Sequence, residues 1–255
     1  MRIVDLSAPI KPTTANLPPL LKVEIEYKDH EFGAETIESM FGVPAQLLRN
    51  GEGWAGETIS WLNTHSSTHV DAPYHYNSVV AGERAQTIDE LPLEWFFAPG
   101  VVVDFTSHAD GQAVGAEELR AAITATGHRL AARDIVLIRS GRDALYDEPD
   151  YMTHGPGVSV EATRWLFEQG VRVMGIDAWG WDRPLALQAA EARERKEPGI
   201  FWAAHQCDLP YCQIERLFNL DQLPGSGFRI ACFPLRIMGG SAAPARVVAI
   251  IEDDE

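Results

Sequence analysis

A mixed α/β fold built as a single domain over residues 1–255 is predicted by three features of the sequence. Short apolar runs at residues 101–105, 135–139 and 171–176 have the length and β-branched content of strands covered on both faces. These runs alternate with stretches of helical periodicity, the rhythm of strand-helix-strand crossovers over a sheet. A length of 255 residues with 45% hydrophobic and 23% charged side chains suffices for one large soluble core. Pairing order is left open.

Each element has its own local signal. Residues 2–6 read as a short strand, followed by a proline-rich loop to Pro19 and an alternating, strand-like run over 21–27. Residues 36–48 have helical character interrupted by Gly42 and Pro44. Residues 57–64, with Thr58, Ile59, Trp61 and Leu62, read as a strand leading into a histidine-rich stretch; 77–86 read as loop and 91–97 as an apolar and aromatic cluster. The run at 101–105 is expected to be a central strand. A helix over 116–126 closes at Gly127, and strand 135–139 follows. In the next helix Ser159 is the N-cap, Ala162, Trp165 and Leu166 recur at helical spacing, and Gly170 marks the stop. After strand 171–176, residues 185–198 form a charged, helix-compatible excursion or lid. Residues 211–217 read as a strand with Gln213 and Glu215 on one face. Runs at 228–237 and 245–251 close the fold, Pro234 arguing for an edge or bulge in the former.

Composition narrows the class of function. A net charge of -16 argues against nucleic-acid binding, which draws on concentrated Lys and Arg. Part of the acidity is a terminal run, 252–255, expected to be a solvated tail. The N-terminus lacks the apolar run of a signal peptide, and no run is long enough to span a bilayer, so no membrane association is expected. Cys207, Cys212 and Cys232 are odd in number and contain no Cys-x-x-Cys pair, which fits a reducing cytoplasm.

The chemistry is concentrated between residues 65 and 75, which hold three of the eight histidines together with Asp71. Imidazoles beside a carboxylate are a usual ligand set for a divalent transition metal. On an extended strand His65, Ser67, His69 and Asp71 share one face. His65 and His69 would then lie roughly 13 Å apart, at about 3.3 Å per residue, too far to share one ion. A helix would stack the two histidines but rotate Asp71 away, and Pro73 opposes helix just beyond. The segment is therefore expected to be a kinked strand-to-loop, bent near Ser67, with Pro73 fixing the exit towards His75. The competing reading is a polar loop satisfied by backbone and water.

The pattern His65-x-x-Thr68-His69-x-Asp71-Ala72-Pro73-x-His75 resembles the signature of the metal-dependent cyclase-like hydrolases, the family of bacterial kynurenine formamidase and isatin hydrolase. That signature is commonly written with Gly where this chain has Ser67. The segments Ile3-Val4-Asp5-Leu6-Ser7-x-Pro9-Ile10, Gly175-Ile176-Asp177 and Ile214-Glu215-x-Leu217-x-Asn219-Leu220 resemble the family as well. The resemblance implies an α/β domain of the swivelling β/β/α type, often assembled as a homodimer. It also implies that, in two-metal relatives, the counterpart of Asp71 bridges the ions while a distant His and Glu complete a second site. By position these are His205 and Glu215, with Gln213 a possible neutral oxygen ligand on the same face.

A divalent metal, Mn, Zn or Fe(II), held by His65, His69 and Asp71 leaves positions open for water and substrate, and one or two ions are compatible with the ligand set. His75 lies beyond the Pro73 turn and outside the alternating ligands. Imidazole titrates near working pH, so His75 is assigned general acid/base work; the matching position in the formamidase relatives implies the same. The alternative for His75 is a structural histidine. Trp61, Trp179, Trp181, Phe201 and Trp202 are candidates to sandwich a flat aromatic substrate, although each is as readily core. No basic residue is close in sequence to the motif, Arg84 being the nearest downstream, which favours a neutral cyclic aryl amide over N-formylkynurenine. Three readings result: a hydrolase of a small cyclic aromatic amide, an arylformamidase, and a non-catalytic metal-binding protein.

Overall fold

The computed structural model describes residues 1–13 and 22–252. The later part of the proline-rich loop, the first residue of the run expected at 21–27, and residues 253–255 of the acidic tail lie outside the described residues. In chain order the elements are β1 (Arg2–Asp5), β2 (Val23–Lys28), α1 (His30–Phe41), β3 (Gly56–Leu62), β4 (His69–Asp71), α2 (Pro73–Tyr76), β5 (Val79–Val80), β6 (Glu83–Arg84), β7 (Phe97–Asp104), β8 (Ala113–Val114), α3 (Ala116–Ala125), β9 (Ile135–Arg139), β10 (Gly157–Val158), α4 (Val160–Glu168), β11 (Val173–Ile176), α5 (Leu185–Arg195), β12 (Cys212–Glu215), β13 (Phe228–Ala231), β14 (Ala242–Pro244) and β15 (Val248–Ile251).

Nine of these strands form one mixed sheet in the order β1-β15-β13-β7-β9-β11-β12-β4-β14. Its centre, β7-β9-β11-β12, is parallel, and the margins are antiparallel. Three of the parallel strands, β7, β9 and β11, contain the continuous apolar runs of the sequence, because both of their faces are covered. On β9, Ile135 and Leu137 pack into one core with Ile214, Ile230 and Phe96, while Val136 and Ile138 pack into a second with Leu119, Ile123 and Leu166 of α3 and α4. Burying one such side chain fully contributes about 1.5–3 kcal/mol. The helices form where the caps are. Ser159 Oγ accepts from the Ala162 N–H at 3.1 Å to start α4, and the Glu118 carboxylate accepts from the Gly115 N–H at 3.0 Å to start α3. Among the described residues no helix is long and apolar enough to cross a membrane.

Contacts divide the chain into two compact units, Met1–Pro9 with Ser67–Glu255, and Ile10–Ser66. The first contains the whole nine-stranded sheet. The second contains the antiparallel pair β2/β3 and helix α1.

Three expectations need correction, and one strand was missed. Helix α1 begins at His30, not near 36, because Asp29 caps it by accepting from the Phe32 N–H at 3.0 Å. Gly33 in its first turn obscured that start, and it is there for close approach: a Cβ would lie 1.9 Å from the Trp54 carbonyl oxygen. The stretch 77–86 is not all loop but carries the β5/β6 hairpin, turned by Ala81 and Gly82 at φ +51° and +80°, as a two-residue hairpin with both central residues left-handed requires. Strand β13 stops at Ala231 and lies between β15 and β7, so Pro234 marks neither an edge nor a bulge in it, and makes only an isolated bridge to Ala245. Strand β14, three residues long, had no periodicity to betray it.

Candidate metal centre

The bend at Ser67 is real, with φ +58°, a left-handed conformation that a non-glycine residue holds only at some cost. Side-chain hydrogen bonds fix it. Ser67 Oγ donates to the Ala8 carbonyl at 2.8 Å, and Thr68 Oγ1 accepts from the Ala8 N–H at 2.8 Å while donating to the Arg216 carbonyl at 2.5 Å. In a Ser67→Gly variant the backbone strain is relieved, roughly 1–2 kcal/mol, while a hydrogen bond of about 0.5–1.5 kcal/mol is lost. Stability is expected to change by less than about 1 kcal/mol in thermal denaturation, with metal content unaltered. A larger loss, or loss of metal, would show that the hydroxyl does more than hold the bend.

Beyond the bend, β4 is gripped on both sides: Asp71 pairs with Gln213 and Ala242, and His69 with Glu215 and Pro244. Val70 and Ile214 turn into one core. By strand alternation His69, Asp71, Gln213 and Glu215 therefore share the opposite face. The His69 Nδ1 donates to the Ser67 carbonyl at 2.9 Å, since a carbonyl can only accept, and this leaves Nε2 turned to the carboxylates. It lies 3.3 Å from Asp71 Oδ1 and 3.6 Å from Glu215 Oε2. The donor atoms of His69, Asp71 and Glu215 all fall within 4.8 Å of one another, and all three residues are buried.

Pro73 does not oppose helix as expected. It opens the single turn α2 at its first position, where the missing N–H costs nothing, and that turn carries His75. The His75 ring centroid lies 4.9 Å from that of Trp202, edge to face, and 6.0 Å from that of His205. His65 belongs to the other unit. It is half-buried in the turn after β3, where its N–H donates to Asn63 Oδ1 at 2.8 Å.

His205 and Glu215 are brought together, with His205 Nε2 3.5 Å from Glu215 Oε1. The opposite nitrogen, Nδ1, meets Asp182 Oδ2 at 2.6 Å. Burial opposes protonation of His205, but the hydrogen bonds and charges of Asp182 and Glu215 outweigh it and push its pKa up to about 9. Burial and the neighbouring Asp71 both raise the Glu215 carboxyl, yet His205 and His69 leave it below its ordinary value. Glu215 Oε1 also accepts from the Trp181 N–H at 3.0 Å, beneath Gly180, where a Cβ would come within 3.2 Å of the same oxygen.

Two buried carboxylates on one face are costly unless positive charge offsets them, and imidazole nitrogens with carboxylate oxygens suit Mn, Zn or Fe(II). Gln213 points the same way. Its Nε2 donates to the Tyr211 hydroxyl, which itself donates to the Ala204 carbonyl at 2.8 Å, so the amide is oriented with Oε1 bare. That oxygen and the buried Tyr76 hydroxyl have no hydrogen-bond partner among the described residues. The donor set fits a divalent cation.

The aromatic candidates separate. Trp181 is wholly buried, its Nε1 donating to Thr163 Oγ1 at 2.9 Å, and is core. Trp179 is covered by the Arg216 guanidinium, 3.8 Å from its ring. Trp61 is half exposed on β3 in the other unit, and Phe201 is exposed. Trp202 lies against the candidate histidines, stacked on His205 at 4.5 Å and 22°. Asp177 serves the backbone, accepting from Ser140 N, Ser140 Oγ and Gly141 N, and burial pushes its pKa up to about 6. Two functional candidates escaped sequence reasoning. Asp182 is 23 residues from His205, and no local spacing joins them. Arg216 directly follows Glu215 and is buried, so a basic residue stands nearer the site than distance from the 65–75 motif suggested.

A mixed sheet whose antiparallel margin buries a histidine and two carboxylates on one face carries a candidate metal site, and the chain belongs to the cyclase family. The model of the cyclase family, described as "Putative cyclase", matches residues 4–183, which include His65, His69, Asp71 and His75 and stop short of His205 and Glu215. The chain is 28% identical to a kynurenine formamidase of Salinibacter ruber over 250 residues, 97% of each chain. It is 27% identical to an isatin hydrolase of Roseibium aggregatum over 212 residues, 77% of this chain and 76% of that one. Isatin hydrolase A from Ralstonia solanacearum superposes with a TM-score of 0.73 at 26% identity, covering 98% of this chain and 92% of that one. The α/β class and the family resemblance read from the sequence are thereby established.

Proposed function

We propose that this chain is a metal-dependent hydrolase of a cyclic amide fused to an aromatic ring, of which isatin is the type, working as one cyclase-like domain over residues 1–255. The observation that carries the reading is Trp202, whose indole lies stacked on His205 and edge-on to His75 at 4.9 Å, a flat apolar surface beside the donor set. The isatin hydrolase relatives in sequence and structure support it.

His65, His69 and Asp71 are the proposed ligands of one ion, Mn or Zn, and His205 and Glu215, sharing Asp71, of a second. When bound, such an ion polarises the amide carbonyl and acidifies water towards a pKa of about 7. The chain's own contribution is orientation and proton transfer. The Ser67 carbonyl holds the His69 Nδ1–H and so aims Nε2. His75 takes a proton from the attacking water as the C–O bond forms, and returns it to the amide nitrogen as the C–N bond breaks. Ring opening gives a single product that carries both a carboxylate and an aromatic amine. The working form proposed is a cytoplasmic homodimer with a small aromatic amide as its substrate and no part for nucleic acid or membrane, in keeping with the net charge of -16.

The second reading, an arylformamidase acting on N-formylkynurenine, is favoured by the Salinibacter ruber relative and by buried Arg216, a group of the kind a substrate carboxylate needs. A non-catalytic metal protein would have no use for His75. The first two readings part on one measurement. With metal-loaded protein, kcat/KM for isatin is expected to exceed that for N-formylkynurenine by at least about tenfold, roughly 1.4 kcal/mol of transition-state preference. An equal or reversed ratio transfers the assignment to the formamidase.

A further inference from the structure

His205 enters the site from the far end of an excursion that follows β11, begins at Asp182 and includes α5. The two ends of that excursion are tied by one carboxylate. Asp182 Oδ1 accepts from the Ala204 N–H at 3.0 Å, and Oδ2 accepts from the His205 N–H at 3.0 Å and meets the ring Nδ1 at 2.6 Å. A carboxylate facing two backbone donors is itself an acceptor, so the hydrogen in the third contact sits on Nδ1. Nε2 is then the nitrogen that faces Glu215 Oε1 at 3.5 Å. Rotation of the ring is opposed by Trp202, stacked at 4.5 Å with 22° between planes. Trp202 is in turn held by its N–H donating to Gln188 Oε1 of α5 at 2.7 Å, in a left-handed conformation at φ +63°. A bulky residue in that conformation persists only where its surroundings over-determine it. A ring flip would cost the Asp182 bond and put carbon opposite Glu215.

We infer that Asp182 is a positioning residue, which fixes the tautomer and orientation of His205 so that Nε2 presents its lone pair to a cation shared with Glu215. The inference rests on the proposed assignment of His205 and Glu215 as ligands. It gives the α5 excursion a role other than a lid, as the strut that delivers His205 and its Trp202 cover together.

Asp182→Asn separates positioning from packing, because the amide has the carboxylate's shape but must aim its NH2 either at the Ala204 N–H or at Nδ1–H. With zinc as the probe, competition against a fluorescent chelator should show two equivalents in the unaltered protein. In Asp182→Asn the first should keep its affinity and the second should weaken by about 10- to 100-fold, the usual cost of losing a group that orients a ligand. In His205→Ala the second equivalent should vanish, and adding Asp182→Asn should change nothing more. A 15N-histidine spectrum of the unaltered, zinc-loaded protein should show the His205 hydrogen on Nδ1, a readout independent of how well the variant folds. Wild-type affinity for both equivalents in Asp182→Asn, or the hydrogen on Nε2, overturns the role of Asp182 and leaves the ligands standing. Unchanged zinc binding in His205→Ala overturns the ligand assignment, and the inference with it.

Discussion

Asp71→Ala, His69→Ala and His65→Ala are each expected to yield folded protein that contains no bound metal by elemental analysis and turns substrate over more than about 10³-fold more slowly, some 4 kcal/mol of lost transition-state stabilisation. Asp71 gives the sharpest version. Its carboxylate is buried beside Glu215, and like charges in the interior are tolerable only when offset. Removing it therefore relieves repulsion in the metal-free protein, whose melting temperature should not fall by the several degrees that an ordinary core truncation brings. Metal, by contrast, stabilises the unaltered protein by binding the folded state alone, and that gain should be absent from the variant. Unaltered protein stripped by chelator yet retaining full turnover, with no metal detected, would refute the requirement. Variants that keep both metal and turnover would remove the three residues from the ligand set.

His75→Ala should behave in the opposite way with respect to metal: the ion stays and turnover falls by 10²- to 10⁴-fold, the range typical of a lost acid/base. The basis is placement. His75 lies on the turn α2, past the end of the strand that carries His69 and Asp71, with Trp202 against its ring. Elemental analysis and single-turnover kinetics on the same preparation read the two properties separately. A folded variant that comes out metal-free would make His75 a ligand and undo the division of roles.

Much of this centre was legible because its logic is local. The period-2 spacing of His65, Ser67, His69 and Asp71 demanded a bend, and Ser67 at φ +58° is that bend. Gln213 and Glu215, two apart, do share a face, and the register sets them opposite Asp71 and His69. The parallel strands expected at 135–139 and 171–176 announced themselves because burial on both faces leaves no polar position over 135–138 or 173–176. Tertiary pairings left no such trace. Asp182 and Arg216 carry no periodicity, and their partners lie far along the chain. Trp181 and Trp202 are alike in sequence, yet one is core and the other covers two histidines, a difference set by where Thr163 and Gln188 anchor their surroundings. Gly33 signalled a break and instead permitted a helix to approach the Trp54 backbone.

The grip on β4 has a consequence for the order in which the molecule comes together. The Thr68 hydroxyl bonds to a carbonyl 148 residues later, and the strand it introduces is paired on one side by β12 and on the other by β14, close to the end of the described chain. Closing loops of that size costs entropy before any contact repays it, so pairings of this kind are slow to form. As the ribosome delivers the chain, the 65–75 segment emerges well before 212–215 and 242–244 and waits without either neighbouring strand. A nascent or truncated chain lacking 242–244 would present β4 as an open edge, the sort of surface on which misassembly begins. The site thus depends on strands made long after the segment that carries its histidines.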